Sequence, residues 1–232
     1  KRVVTKLPKW TFNESDFLFN NQFNCFITSS VDNNINFDYQ VPLLTLPKLF
    51  KTSIASIPAV PKINIKPLKQ LMWSKKLKFS KNKLNIGLAT SGSPTQQNDH
   101  KRSMKLESIE PLLDQGNFFL FQKDLKKEDI EFLERRSEII YVGEQIEDFS
   151  DTADIIENLD IVISVCTSLV HLAGSLQKKT LLMSIWAPDW RWMLDRSDTP
   201  WYPSVQIIRQ KSEGDWTAVI SEVSKQLKIH KN

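Results

Sequence analysis

The chain has 232 residues, 41% of them apolar and 10% aromatic, which is enough to bury a core and too many for a disordered chain. Its 31 basic and 27 acidic side chains leave a formal charge of +4, a mild, lysine-led excess that does not by itself indicate nucleic acid. Two cysteines, Cys25 and Cys166, cannot build a disulfide framework, so a cytoplasmic location is expected, and no apolar run reaches the ~18 residues of a membrane span.

The sequence begins at Lys1 rather than Met and carries no apolar signal segment, so it reads as part of something longer. Residues 1 to about 40 are rich in Phe and Asn, with FLFNN and FNCFITSS as candidate strands. FDYQVPLLTLPKLF (37–50) is apolar but broken by Pro42 and Pro47, and Pro58, Pro61 and Pro67 follow. Proline at that density reads as a semi-rigid connector. The basic amphipathic stretch LKQLMWSKKLKFSKNK (68–83) fits a helix lying on a sheet with its lysines in solvent. Residues 1–67 are therefore read as one unit ending in a linker, and 68–232 as a second domain.

From Leu84 the pattern is regular. Strands are expected at 84–90, 117–122, 138–143, 160–165, 180–185 and 205–210. Helical patterns lie near 104–115, 125–136, 151–159, 167–177, 189–196 and 215–229, with Asp151 as the opening residue of its helix. Alternating strands and helices predict βαβ units, a doubly wound parallel sheet and a Rossmann-like α/β domain.

The stretch LDIVISVCTSLVHLAGSL (159–176) organises the rest. Ile161 to Val165 reads as a strand buried on both faces, and Leu169, Val170, Leu172, Ala173 and Leu176 recur at helical spacing. Thr167 or Ser168 is the expected N-cap, and Gly174 inside the helix suggests a closely packed backbone. A strand turning tightly into a helix offers free amides and the positive end of a dipole to an anion, with His171 one turn on. Taken alone, a buried strand and a capped helix explain the pattern as simply.

Ligands of such sheets bind outside the carboxyl ends of the strands. Four loops leave that edge: Ser91-Gly92-Ser93-Pro94, Gln122-Lys123, Glu144 to Phe149, and Cys166-Thr167-Ser168. Together they suit a nucleotide diphosphate, while the absence of GxGxxG and GxxxxGK[ST] disfavours a dinucleotide fingerprint or a P-loop.

SGSPTQQNDHKRSM (91–104), DFSDTADII (148–156), SVCTSLVHLAGSL (164–176) and PDWRWMLDRSDTPWYPSVQIIRQ (188–210), followed by Gly214-Asp215-Trp216, resemble heptosyltransferase-related glycosyltransferases. The likeness is greatest to the bacterial members fused to tetratricopeptide repeats. It covers 84–229, and FDYQVPLLTLP (37–47) resembles the segment before the interdomain linker. The resemblance implies a GT-B architecture of two Rossmann-like domains. Residues 1–67 would be the tail of the N-terminal domain plus linker, and 68–232 the C-terminal domain that binds the nucleotide-sugar donor. Carried over by position, Ser91, Gly92 and Ser93 approach the diphosphate, Gln122 and Lys123 the ribose, and Asp148 and Phe149 the base. Cys166, Thr167, Ser168 and His171 form the cradle, in which Thr167, Ser168 and His171 hold the departing diphosphate, His171 being the catalytic group present.

The implied reaction is inverting and metal-independent, with no cofactor beyond the nucleotide-sugar substrate and no metal ligands. Its partners would be that donor, a glycan, lipid or protein acceptor, and upstream the rest of the N-terminal domain with helical repeats. The catalytic base would lie in that missing part, so this chain alone would not turn over efficiently. The family usually has Asp where Cys166 stands, and commonly His and Arg at Gln96 and His100. These departures motivate the alternative: a degenerate, non-catalytic domain kept for binding or scaffolding. Trp186, Trp190, Trp192 and Trp201 could stack on a base or a sugar but read mainly as packing, with the rim rings left to meet a ligand. Asp189, Arg191, Asp195 and Arg196 read as a salt-bridged knot, and Asn98, Asp99 and Arg102 as supports of the first loop.

Overall fold

The computed structural model describes residues 3–4, 39–42, 45–60, 63 and 67–231. The strands expected at 17–21 and 23–30, Cys25 and residues 61–62 and 64–66 of the connector lie outside them. Before the main sheet, Val3–Val4 pairs in parallel with Tyr39–Gln40, and Leu46–Leu49 makes one helical turn.

The main sheet has six parallel strands: β1 (Leu84–Ala89), β2 (Gly116–Leu120), β3 (Ile139–Tyr141), β4 (Ile161–Val165), β5 (Thr180–Ser184) and β6 (Val205–Arg209). Their order is β3-β2-β1-β4-β5-β6. Among the described residues the longer helices are α1 (Pro67–Lys76), α2 (Lys127–Leu133), α3 (Phe149–Glu157), α4 (Ser168–Ser175) and α5 (Trp216–Lys231), and Asp99–Arg102 makes a single helical turn after β1. This is the doubly wound, Rossmann-like arrangement that the alternating pattern predicts.

The strands read as continuous apolar runs because both faces are covered. Ile161, Ile163 and Val165 face a layer with Leu106, Ile109 and Leu112 and, from α5, Val219, Val223 and Leu227. Val162 and Phe119 face the opposite layer, with Ile155 and Ile156 of α3 and Leu169 and Ala173 of α4. Trp73 and Leu77 pack into that second layer while Lys75, Lys76 and Lys78 stay exposed, so the basic stretch does lie on the sheet by its apolar face. A hydrogen bond from Trp73 Nε1 to Asp151 Oδ1 (3.2 Å) ties α1 to α3.

Three local readings are corrected. The pattern at 104–115 is a 3₁₀ segment, Leu106–Gln115, with Pro111 inside it. Its buried residues Leu106, Ile109 and Leu112 recur every third position, the 3₁₀ period, and Pro111 has no amide to donate to an α-helical ladder. The pattern at 189–196 is only the 3₁₀ turn Trp190–Trp192, ended by Met193 at φ 50°. Finally, α3 begins at Phe149, capped by Asp148, whose carboxylate accepts from the amide of Asp151 at 3.0 Å.

Candidate functional site

The strand order reverses between β1 and β4, the two central strands. The chain leaves β1 toward β2 on one side and β4 toward β5 on the other, so the loops after them part and open a crevice. The register pairs Ala89 with Ser164, which sets Ser91-Gly92-Ser93 beside Cys166-Thr167-Ser168 at one level.

A chain of hydrogen bonds crosses the crevice. The Gly92 amide donates to Ser103 Oγ (3.2 Å), and that hydroxyl donates to Asp99 Oδ2 (2.7 Å). Asp99 Oδ1 accepts from Arg102 Nε (2.9 Å), and Arg102 Nη1 donates to the Cys166 carbonyl (2.7 Å). Arg102 presses so closely on Gly92 that any Cβ there would collide with the guanidinium. Arg102 and Asp99 thus support the first loop, as expected. Arg102 also brings a cation to the mouth of β4, which the sequence reading did not foresee. Its Nη2 has no hydrogen-bond partner among the described residues.

On the β4 side, Thr167 is the N-cap residue of α4, but its side chain does not cap the helix. Its Oγ1 shares a hydrogen bond with Ser164 Oγ at 3.0 Å instead. Ser168 is exposed at the first turn, where the helix end presents amides and partial positive charge. Ser93 is exposed too, its Oγ paired with Thr95 Oγ1 at 2.9 Å.

His171 is held by its surroundings. Its ring stacks on Trp192 (centroids 5.2 Å, 23°), and Nδ1 shares a hydrogen bond with Tyr202 OH at 3.1 Å. Burial, and then the Arg191 charge, lower its pKa to about 4 against the pull of Asp189, so the ring is neutral near pH 7. Any help it gives an anion is through a hydrogen bond and not a full positive charge. Gly174 makes room for the Tyr202 ring, whose Cγ would lie 2.5 Å from an added Cβ; the close approach inferred there is to a side chain and not to a backbone.

Cys166 Sγ accepts from Trp192 Nε1 at 3.0 Å, and burial raises its pKa against the lowering effects of Trp192 and Arg102. The thiol is therefore protonated near pH 7, and its partner is an indole and not the imidazole of His171. No thiol–imidazole dyad forms.

Gln122, after β2, is buried, and its Oε1 accepts from both the amide (3.1 Å) and the hydroxyl (3.0 Å) of Thr90; Nε2 has no partner among the described residues. Lys123 is exposed, and its carbonyl accepts from Tyr141 OH (3.1 Å). Asp148 and Phe149 stand at the start of α3, beyond the edge strand β3. That edge is three strand spacings, about 14 Å, from β4. The fold thus gathers 91–93 and 166–168 at one mouth and strings Gln122, Lys123, Asp148 and Phe149 along the same sheet edge. Among the described residues, no three His, Cys, Asp or Glu side chains gather as metal ligands, and no helix is long and apolar enough to cross a membrane.

No protein-family model matches the chain, and no curated protein matches its sequence. Solved structures match its fold. Over 77% of this chain it superimposes on E. coli ADP-heptose LPS heptosyltransferase II, with TM-score 0.54 and 14% identity, covering 57% of that chain. Over 82% it superimposes on a glycosyl transferase family 9 protein from Veillonella parvula, with TM-score 0.53 and 11% identity, covering 58% of that chain. The fold is the Rossmann-like one of GT-B glycosyltransferases. The chain spans less than two thirds of either GT-B protein.

The expected ionic knot is present in altered form. Arg191 pairs with Asp189 (2.7 Å), but Arg196 pairs with Asp198 (2.6 Å) and not with Asp195. Trp192 and Tyr202 contact Cys166 and His171 directly. Tyr202 was not singled out by sequence reasoning, and Trp192 was read there as packing or as a ring to stack on a base or sugar. Only the PDWRW…PWYP motif hinted that this loop bears on the site.

Proposed function

We propose that this chain carries the donor site of a glycosyltransferase, with the diphosphate of a nucleotide sugar seated at the mouth between β1 and β4. The observation that carries this reading is the convergence, at the reversal point of a GT-B-like sheet, of the α4 N-terminus, the exposed Ser168 hydroxyl and the Arg102 guanidinium. Helix N-termini and guanidinium forks both favour phosphate oxygens. The nucleoside would extend over β2 and β3 toward Gln122, Lys123, Asp148 and Phe149.

An acceptor hydroxyl attacks the anomeric carbon from the face opposite the diphosphate. Its proton passes to a base outside this chain, and the carbon–oxygen bond breaks with its electron pair leaving on the phosphate. Negative charge then builds on the leaving group, where donors already in place lower the barrier. Arg102 and the α4 amides supply that stabilisation without a metal. His171, neutral and paired to Tyr202, holds the wall of the cradle and adds at most one hydrogen bond. On this reading the catalytic base lies outside this chain.

A second reading, a non-catalytic binding domain, is favoured by one feature. Arg102 already spans the mouth to the Cys166 carbonyl, and the Gly92 amide expected to face a phosphate is already donated to Ser103. Calorimetric titration with ADP, UDP and GDP separates the two. Saturable binding by at least one, weakened about tenfold or more by Arg102→Ala and a few-fold by Ser168→Ala, supports the donor site; about 1.4 kcal/mol, a modest charged hydrogen bond, is tenfold. A folded protein that binds none of them rejects it in favour of the second reading.

A further inference from the structure

The loop from Ile185 to Ser204, between β5 and β6, divides its aromatic residues between the interior and the surface. Trp192 is 1% exposed and locked to Cys166 and His171, whereas Trp190, two residues earlier, is 63% exposed. That exposed indole is held firmly. Asp189 Oδ1 accepts from the Arg191 amide (3.0 Å) and from Arg191 Nη1 (2.7 Å), which fixes the turn. The Arg191 guanidinium lies 5.0 Å from the centre of the Trp190 ring. Trp201 meets Trp190 edge-on at 6.1 Å and 86°, its own Nε1 donating to the Arg191 carbonyl at 3.0 Å. The result is a pre-positioned indole with the Arg191 guanidinium over its ring and the Asp189 carboxylate paired to that guanidinium.

We propose that Trp190 and Trp201, with Arg191 and Asp189, form a saccharide-binding platform at the rim of the β4 mouth. A pyranose has an apolar face of C–H groups and an equator of hydroxyls. The first matches the indole surface that remains exposed, and the second matches the carboxylate and guanidinium next to it. The rings are held by their neighbours before any ligand arrives, so little side-chain entropy is lost on binding. The platform also lies close to the mouth: Trp192, the next residue after Arg191, donates its Nε1–H to Cys166 Sγ and stacks on His171. A protein partner would need roughly 800 Å² on each side, far more than two indoles offer. The proposal rests on the nucleotide reading only for what the saccharide is: with the nucleoside over β2 and β3, the β5–β6 side is left for the transferred sugar or for an acceptor glycan.

The test follows the Trp Nε1–H signals of the ¹⁵N-labelled chain, with Trp190 identified from Trp190→Phe. The probes are methyl pyranosides of glucose, galactose, mannose and N-acetylglucosamine at tens of millimolar; UDP, ADP and GDP; and UDP-glucose, ADP-glucose and GDP-mannose. The expected result is that a sugar-bearing probe perturbs the Trp190 and Trp201 signals while sugar-free nucleotides leave them in place. Trp190→Ala should weaken that response at least fivefold at unchanged melting temperature, since the ring is exposed. A response to the nucleotide sugars alone assigns the platform to the transferred sugar, and a response to the methyl glycosides assigns it to the acceptor. The proposal is overturned if no sugar-bearing probe moves these signals, or if sugar-free nucleotides move them equally. Amide shifts at 91–93 and 167–169 report the nucleotide separately, so either site can fail while the other stands.

Discussion

Arg102 Nη1 donates to the carbonyl of Cys166 at 2.7 Å across 64 residues of sequence, and this bond joins the two loops that flank the sheet's reversal point. The same guanidinium is anchored to Asp99, with only 22% and 13% of the two side chains exposed. Arg102→Ala should cost about 1–3 kcal/mol, because it leaves a largely buried carboxylate with Ser103 as its remaining partner and strands a carbonyl. Arg102→Lys keeps the charge but loses the fork, and should recover only part of both stability and nucleotide affinity. Urea denaturation beside calorimetric titration checks both effects.

The neutral state of His171 makes stability depend on pH in a defined direction. Its folded pKa, about 4, lies below the ordinary value of 6.5, so between these values the unfolded chain binds more protons. The stabilisation is complete above about pH 6.5 and is lost as pH falls toward 4, by up to about 3 kcal/mol. His171→Phe retains the stack on Trp192 and lacks the titration. Unfolding free energies at pH 7.5 and 4.5 should therefore fall less for the variant than for the wild type. Equal falls would contradict the burial of this ring.

Gly174→Ala would ordinarily gain up to about 1 kcal/mol of helix propensity. Here the new methyl would meet Tyr202 Cγ at 2.5 Å and Cδ1 at 2.8 Å, so the ring that pairs with His171 must shift. A net loss of about 1–3 kcal/mol is expected. Pairing it with Tyr202→Ala in a double-mutant cycle should recover most of that loss, and additive effects would reject the clash.

What the sequence made legible follows from which interactions are local. All six strands were found because burial on two faces leaves uninterrupted apolar runs, as in Ile161–Val165. Helix ends were less clear: Asp148 and Asp151 are both plausible caps, and only the bond from the Asp151 amide decides between them. The group of loops at the site was readable because strand ends converge on one edge. The contacts that set its chemistry were not, since Arg102 meets Cys166, Cys166 meets Trp192, and His171 meets Tyr202 through tertiary packing that no residue spacing encodes.

Gln122→Leu tests the floor of the first loop. Gln122 Oε1 accepts both the amide and the hydroxyl of Thr90, a residue with no exposed surface. Leucine of similar size leaves that buried amide unpaired, at a cost of about 1–3 kcal/mol, visible as a lower urea midpoint at unchanged slope. Thr90→Val added to Gln122→Leu should lessen the loss by removing the stranded hydroxyl.

The indole bond from Trp73 to Asp151 bears on where this protein can be shortened. Trp73 and Leu77 roof the same layer as Phe119 and Ile155, so a truncation beginning at Leu84 would strip an aromatic lid from the sheet and leave that face sticky. Such a fragment should self-associate, whereas one that starts upstream of Pro67 keeps its own cover.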